Sequence, residues 1–260
     1  ERLGLRKPNL MEFARLNIEG MPVSKRKIKP LIDKGLVSGF DDIRLPTLRG
    51  LKKRGITSEG IRNFVLSQGI SKVESTVTFS LVESENRKII DPSAKRYFFV
   101  EDPVEINVID APKIEKNINL HPTNKELGTR KVKTDNIFYI QKSDVDRLNI
   151  GDIFRLKDIY NVKVLEKNNK IKGKYFGEEL ISDSLKIQWT TDDYIEIEIL
   201  KPDLLFKNKE FNKKSLKRIK GFAEKQVSNL KNGEIIQFER FGFVRLENKD
   251  GKIVGYFAHK

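Results

Sequence analysis

The repeat of the apolar residues changes part-way along the chain, and no single architecture accommodates both patterns. As far as Asp91-Pro92 the spacing is helical. Ile28, Leu31 and Ile32 precede Gly35, which can stop a helix. Pro46-Thr47-Leu48 opens a second short helix ending near Gly55. Thr57 and Ser58 can cap a third, which carries Ile61, Phe64, Val65 and Leu66 to Gly69. Val73, Val77 and Leu81, at i, i+4 and i+8, extend the helical spacing to the Asp-Pro step. After Pro103 the period becomes two: Val104, Ile106 and Val108 alternate with polar residues, as do Ile195, Ile197 and Ile199. Residues 136–140, 152–156, 161–165, 185–189, 235–246 and 252–257 read as further strands. Short alternating strands separated by Gly, Asn and Asp predict one or two closed antiparallel barrels. Residues 212–230 read as a basic helix among them, and residues 166–174 as a Lys/Asn-rich loop.

Charge narrows the partners. The 51 Lys and Arg outnumber the 37 Asp and Glu, for a formal net charge of +14, so a polyanion, either nucleic acid or an anionic membrane surface, is the expected partner. Residues 1–100 hold 20 basic and 11 acidic residues and the remainder 31 and 26, which concentrates the excess in the helical part. No apolar run approaches the roughly 18 residues of a membrane-spanning helix, and residues 212–230 are the one segment that could lie on a membrane surface. With no cysteine, disulfides, thiolate zinc sites and thiol catalysis are excluded. No metal site is expected. The chain opens on Glu1 without Met or a signal pattern and ends in a strand-like segment, so it reads as the C-terminal part of a longer protein.

Gly20-Met21-Pro22 leads into Val23-Ser24-Lys25-Arg26. A Ser-Lys pair in such a loop can set a hydroxyl, backbone amides and an ammonium against phosphates; on its own, the triplet is most often a solvated loop. Its surroundings are more specific. Residues 12–17 lie upstream, and residues 39–55, with Leu45-Pro46-Thr47-Leu48-Arg49, lie downstream. Asn86-Arg-Lys-Ile-Ile-Asp-Pro92, then Arg96-Tyr97, His121-Pro122, and residues 127–132, 151–157 and 236–245 follow in order. Together these segments resemble class I aminoacyl-tRNA synthetases of the glutamyl/glutaminyl subgroup, and among them the archaeal-type glutamyl enzymes. Residues 22–26 keep the Ser-Lys core of the family's Lys-Met-Ser-Lys-Ser loop, with Pro22 in place of its first lysine and Val23 in place of methionine. The strand pattern is unlike the all-helical anticodon domain of the bacterial glutamyl enzymes.

The resemblance implies a multidomain α plus β fold. Residues 1–95 would be the end of the catalytic domain, with the Ser-Lys-Arg loop, followed by a helical stem-contact bundle. Residues 96–260 would be an anticodon-binding region of two antiparallel β-barrels, one inserted into the other. It implies ATP contacts at Arg15, Leu16, Val23, Ser24 and Lys25, with Lys25 stabilising the leaving pyrophosphate. Anticodon contacts would fall on Arg96, Arg147, Arg155, Lys157 and Gln237, because forked Arg and Gln side chains suit the edges of splayed bases. Contacts to the central uridine, shared by the glutamate and glutamine anticodons, would fall on Arg96 and Gln237. Arg49, Lys52, Lys53, Arg54 and Arg130 would meet the tRNA backbone. Read without the resemblance, Leu16 is also an ordinary core position, and each of these cations is also a solvated surface charge. In the whole enzyme, glutamate, ATP with Mg2+ and glutamate-accepting tRNA would be the partners, and the cytoplasm the compartment. The His-x-Gly-His motif and the glutamate pocket of the family are not in this chain, so by itself it is expected to hold no cofactor and to activate no amino acid. The alternatives are a glutaminyl enzyme, or a stand-alone RNA-binding module, which would have no use for an ATP-phosphate loop.

Overall fold

The structure, a computed structural model, describes Gly4, Arg6, Lys7, residues 9–168 and residues 170–260. In chain order the first elements are β1 (Leu16–Ile18), α1 (Lys25–Asp33), α2 (Leu48–Arg54), α3 (Ser58–Gln68), β2 (Ser75–Val77) and α4 (Ser80–Ile90). Next come β3 (Arg96–Tyr97), β4 (Phe99–Glu101), β5 (Pro103–Ile109), β6 (Glu115–Asn119), β7 (Thr129–Lys133), β8 (Ile137–Gln141) and the turn helix α5 (Lys142–Val145). They are followed by β9 (Ile153–Leu156), β10 (Asn161–Lys167), β11 (Ile171–Tyr175), β12 (Leu185–Ile187), β13 (Trp189–Thr190) and β14 (Tyr194–Pro202). The last are β15 (Phe206–Lys207), β16 (Glu210–Phe211), β17 (Leu216–Glu224), β18 (Ile235–Phe238), β19 (Gly242–Lys249) and β20 (Lys252–His259). The chain divides into two units, residues 1–87 with 203–215, and residues 88–202 with 216–260.

In the first unit, Thr47 and Thr57 cap α2 and α3, their hydroxyl oxygens accepting from the amides of Gly50 and Gly60 at 3.0 Å. Leu51, Ile56, Phe64, Phe79 and Val82 form one core and Ile28, Leu31, Val37, Leu45 and Leu205 another. The helical spacing expected through Val73, Val77 and Leu81 is not realised. Val73 is exposed, and Ser75–Val77 pairs in parallel with β1, from Leu16↔Ser75 to Ile18↔Val77. Thr76, Val77 and Thr78 are β-branched and favour that strand over a helix. Residues 203–215 add a hairpin, β15–β16, whose turn residues Asn208 and Lys209 take φ of 51° and 67°. Phe206 donates its amide to the carbonyl of Gly20 at 3.0 Å, and Gly20 has φ 66°. A Cβ on Gly20 would lie 2.8 Å from the carbonyl oxygen of Phe206, so only glycine fits there.

The second unit holds two seven-stranded, barrel-like sheets, ordered β12-β9-β10-β11-β5-β8-β13 and β3-β18-β19-β20-β14-β17-β4. The second sheet begins with β3 and β4 and resumes at β14, so the first sheet is an insertion between its strands. The sheets are mixed rather than purely antiparallel: β11–β5, β12–β9, β14–β20 and β18–β3 are parallel pairs, each joining strands that are not consecutive. Tyr97-Phe98-Phe99 joins the two cores by alternation. Phe98 enters the first core with Phe138, Phe154, Tyr160 and Trp189, while its neighbours enter the second with Ile199, Phe238 and Phe257.

Two sequence expectations are corrected here. Residues 212–230 are not one α-helix: β17 forms nine register pairs with β14, its inward positions are Ile219, Gly221 and Ala223, and only a short 3-10 turn, Lys225–Asn229, follows it. A Cβ on Gly221 would lie 2.3 Å from the Val100 carbonyl, so the close approach of β4 requires the glycine and removes its apolar signal. The expected loop at 166–174 is the end of β10 and most of β11, with Asn169 outside the described residues.

Candidate nucleic-acid interface

The second unit contains a cleft of about 640 Å3. Strand β6 supplies Lys116, Asn117 and Asn119; β3 supplies Arg96, β9 Arg155, and β12 Lys186; Lys157 and Glu239 follow β9 and β18. Arg96 and Gln237 are register partners across β3 and β18. One guanidinium nitrogen of Arg96 meets Asp91 at 3.2 Å, but its Nε and the Oε1 of Gln237 are buried with no hydrogen-bond partner. Each such orphan costs about 1–3 kcal/mol; Arg96 lines the cleft and Gln237 lies behind it on the neighbouring strand.

Arg155 is nearly buried and largely committed. It donates to Asn161 Oδ1 at 3.1 Å, to the Glu178 carbonyl at 3.0 Å and to the Ile159 carbonyl at 2.8 Å. Lys157 reaches Asp158 and Glu239, each at 2.9 Å, over the Phe98 ring, and its carbonyl accepts from Trp189 Nε1 at 2.9 Å. Arg147 is exposed, 4.0 Å from Asp144, and does not line this cleft.

In the first unit, Ser24 stands at the start of α1. Its carbonyl accepts from the amides of Lys27 and Ile28 at 3.0 Å and its hydroxyl caps nothing. Lys25 is exposed on the first turn and Val23 is half-buried. Arg15 is exposed and pairs with Glu74 at 3.3 Å, whereas Leu16 packs on the Phe64 and Phe79 core. Arg49 and Lys52 face solvent on α2, and Lys53 pairs with Asp41 at 2.5 Å. Among the described residues no cluster of three or more His, Asp or Glu could hold a metal, and no helix is long and apolar enough to cross a membrane.

Sequence comparison supplies the family. Residues 1–92 match the class I tRNA synthetase (E and Q) catalytic domain. Residues 94–178 and 186–247 match two anti-codon binding domains of the same class. The chain belongs to this synthetase family. Its relatives include a protein named glutamate–tRNA ligase from Nitrosopumilus maritimus (strain SCM1), 39% identical over 261 residues, covering 100% of this chain and 45% of the relative. Others with that name come from Cenarchaeum symbiosum (strain A), 38% over 259 residues, and Pyrococcus abyssi (strain GE5 / Orsay), 38% over 269. They cover 99% and 100% of this chain and 45% of each relative. The synthetase chain thus spans less than half the length of the curated relatives it matches.

Two cations of the synthetase chain expected at the tRNA backbone turn inward instead. Arg54 is buried, 2.5 Å from Glu83 and 4.3 Å from the Phe79 ring. Burial pulls its guanidinium down to about 10 against the attraction of Glu83, and burial lifts Glu83 despite Arg54. Arg130, on β7, places Nε 2.8 Å from Glu224, a carboxyl that also accepts the Phe98 amide at 2.7 Å, and it donates to the Asn119 carbonyl at 3.0 Å. Neither guanidinium is presented to solvent. Sequence reasoning missed Lys116, Asn117, Asn119, Lys186 and Glu239. The first three lie on β6, whose single buried residue, Ile118, gives no alternation to detect. His121 is a turn residue: its Nδ1 accepts from the Asn124 amide at 2.9 Å and its Nε2 lies 3.0 Å from the Asp91 carbonyl.

Proposed function

We propose that this chain is the tRNA-binding C-terminal part of a glutamate–tRNA ligase, and that its cleft reads the anticodon. In the whole enzyme, glutamate attacks the α-phosphate of ATP, forming glutamyl adenylate and releasing pyrophosphate. The terminal adenosine of the tRNA then takes the glutamyl group and AMP leaves. The exposed Lys25 at the end of the Val23-Ser24 loop is suited to stabilise charge on the pyrophosphate, with Mg2+ as counter-ion and Arg15 and Leu16 towards the adenine. Residues 1–95 would supply that loop and a helical stem-contact bundle, with Arg49, Lys52 and Lys53 on tRNA phosphates. Residues 96–260 would form the anticodon-binding region of the glutaminyl-synthetase type, with Arg147 on a base outside the cleft. Such an enzyme works in the cytoplasm.

The observation that carries the reading is the cleft that brings Arg96, Arg155 and Lys157 together, with Gln237 the register partner of Arg96. A guanidinium and a side-chain amide are the group types that suit the carbonyl and imino N–H of uracil, the central base of the anticodon. Arg155 and Lys157 extend the same wall. Filter binding of the chain to glutamate tRNA, glutamine tRNA and an unrelated tRNA at two salt concentrations tests this. A preference for glutamate tRNA that survives the higher salt supports it; equal binding that salt erases refutes it.

A further inference from the structure

The cleft is cationic in composition, with Arg96, Lys116, Arg155, Lys157 and Lys186, yet two carboxylates, Asp158 and Glu239, stand among those cations. Both are spent on one ammonium. Lys157 Nζ lies 2.9 Å from Asp158 Oδ2 and 2.9 Å from Glu239 Oε2, so this triad carries a net negative charge. The other cations are mostly engaged as well: Arg96 by Asp91, Arg155 by carbonyls and Asn161, and Lys116 by the Asp158 carbonyl at 2.7 Å. A phosphate entering at Lys157 would meet an excess carboxylate, whereas a base edge with an N–H would meet an acceptor.

Glu239 is also held where it stands. Its amide donates to the Tyr97 carbonyl at 3.0 Å, and Phe241 N closes the turn on Phe238 O at 3.0 Å. The next residue, Arg240, takes φ 61° and grips Asp144 through two bonds of 2.7 Å. An ion pair on a mobile loop has no such fixed backbone beneath it. The turn thus fixes the backbone that carries this carboxylate at the cleft, and the pair with Lys157 holds the side chain, which is 18% exposed.

We infer that Glu239 is a specificity-determining residue that excludes phosphate from the cleft at Lys157, so that RNA is accepted there base-first. Discrimination then comes from a repulsive element as well as from the attractive contacts of Arg96 and Gln237. The inference rests on the reading of the cleft as a tRNA site.

The test compares wild type, Glu239→Gln and Glu239→Asp in the 260-residue chain, by filter binding to glutamate tRNA and an unrelated tRNA across a salt series. With Glu239→Gln, Lys157 keeps Asp158 as its partner but the excess negative charge is gone, so a phosphate can approach the ammonium. The unrelated tRNA should bind at least about fivefold tighter, glutamate tRNA less than about twofold tighter, and the unrelated tRNA's log–log salt slope should steepen by about 0.7–0.9. Glu239→Asp, which keeps the charge, should retain the wild-type preference. Equal tightening for both RNAs would reduce Glu239 to a general charge and overturn the inference, as would no change in either. If Arg96→Ala lowers glutamate-tRNA binding while Glu239→Gln leaves the preference intact, the inference fails and the tRNA reading stands. If wild type shows no preference and Arg96→Ala changes nothing, both fall.

Discussion

Replacing Arg130 by Met should destabilise the barrel unit by about 3–5 kcal/mol at pH 7.5, the cost of leaving one buried ion uncompensated. The side chains of Arg130 and Glu224 are only 2% and 6% exposed, so solvent screening does not discount the loss. The variant also gives up the bond to the Asn119 carbonyl, about 1 kcal/mol, and the guanidinium contact 4.9 Å from the Phe98 ring. These overlap with the ionic term and are not added to it. The pH dependence identifies the cause. Burial already holds the Glu224 carboxyl above its ordinary range, against the pull of Arg130. A carboxyl with a raised pKa binds its proton more tightly in the folded state, so stability is gained as the pH falls through the folded value. Without Arg130 that value rises further, and the deficit against wild type should narrow by at least about 1 kcal/mol between pH 7.5 and pH 5.5. Urea denaturation followed by the fluorescence of Trp189, the single tryptophan and 2% exposed, reads both. Adding Glu224→Gln keeps an acceptor for the Phe98 amide and should bring the double variant to within about 2 kcal/mol of wild type. A deficit under about 1 kcal/mol, independent of pH and not relieved by the second substitution, would refute the reasoning.

Arg54→Leu should cost about 3 kcal/mol in thermal or urea unfolding of the first unit, because Glu83 loses its partner. Lys52→Ala, on the exposed face of the same helix, should leave stability within about 0.5 kcal/mol and flatten the salt slope of tRNA binding by about 1. Gly20→Ala should lower stability by about 1–3 kcal/mol, since it forces a Cβ towards the Phe206 carbonyl at φ 66°; an unchanged melting temperature would contradict the close packing of the hairpin. In the whole synthetase, Lys25→Ala should reduce pyrophosphate exchange by about 10²–10³-fold.

The sequence showed several strands whose inward positions carry large apolar residues, as at Phe138 and Ile140 or Val162 and Val164. It concealed those whose inward positions are glycine or alanine. Strand β17 reads as a basic helix because Gly221 and Ala223 are small where β4 comes close, and β11 reads as a loop because Gly173 fills its central inward place. The cleft was legible through Arg96, Arg155 and Lys157 only by family resemblance. Its other residues lie on strands scattered from β6 to the turn after β18, and their juxtaposition belongs to the tertiary pairing. Charge type likewise conceals burial. Arg54 and Arg130 resemble their exposed neighbours, and their partners are 29 and 94 residues away in sequence.

The most direct measurement of the central claim is the affinity of the chain for glutamate tRNA and for the same tRNA with its central anticodon uridine changed to cytidine, with wild type and Arg96→Ala. The account predicts that the base change weakens wild-type binding by roughly 1–3 kcal/mol, about five- to 150-fold, and weakens Arg96→Ala much less. Equal wild-type affinity for the two tRNAs would mean that the cleft beside Arg96 and Gln237 does not read that base.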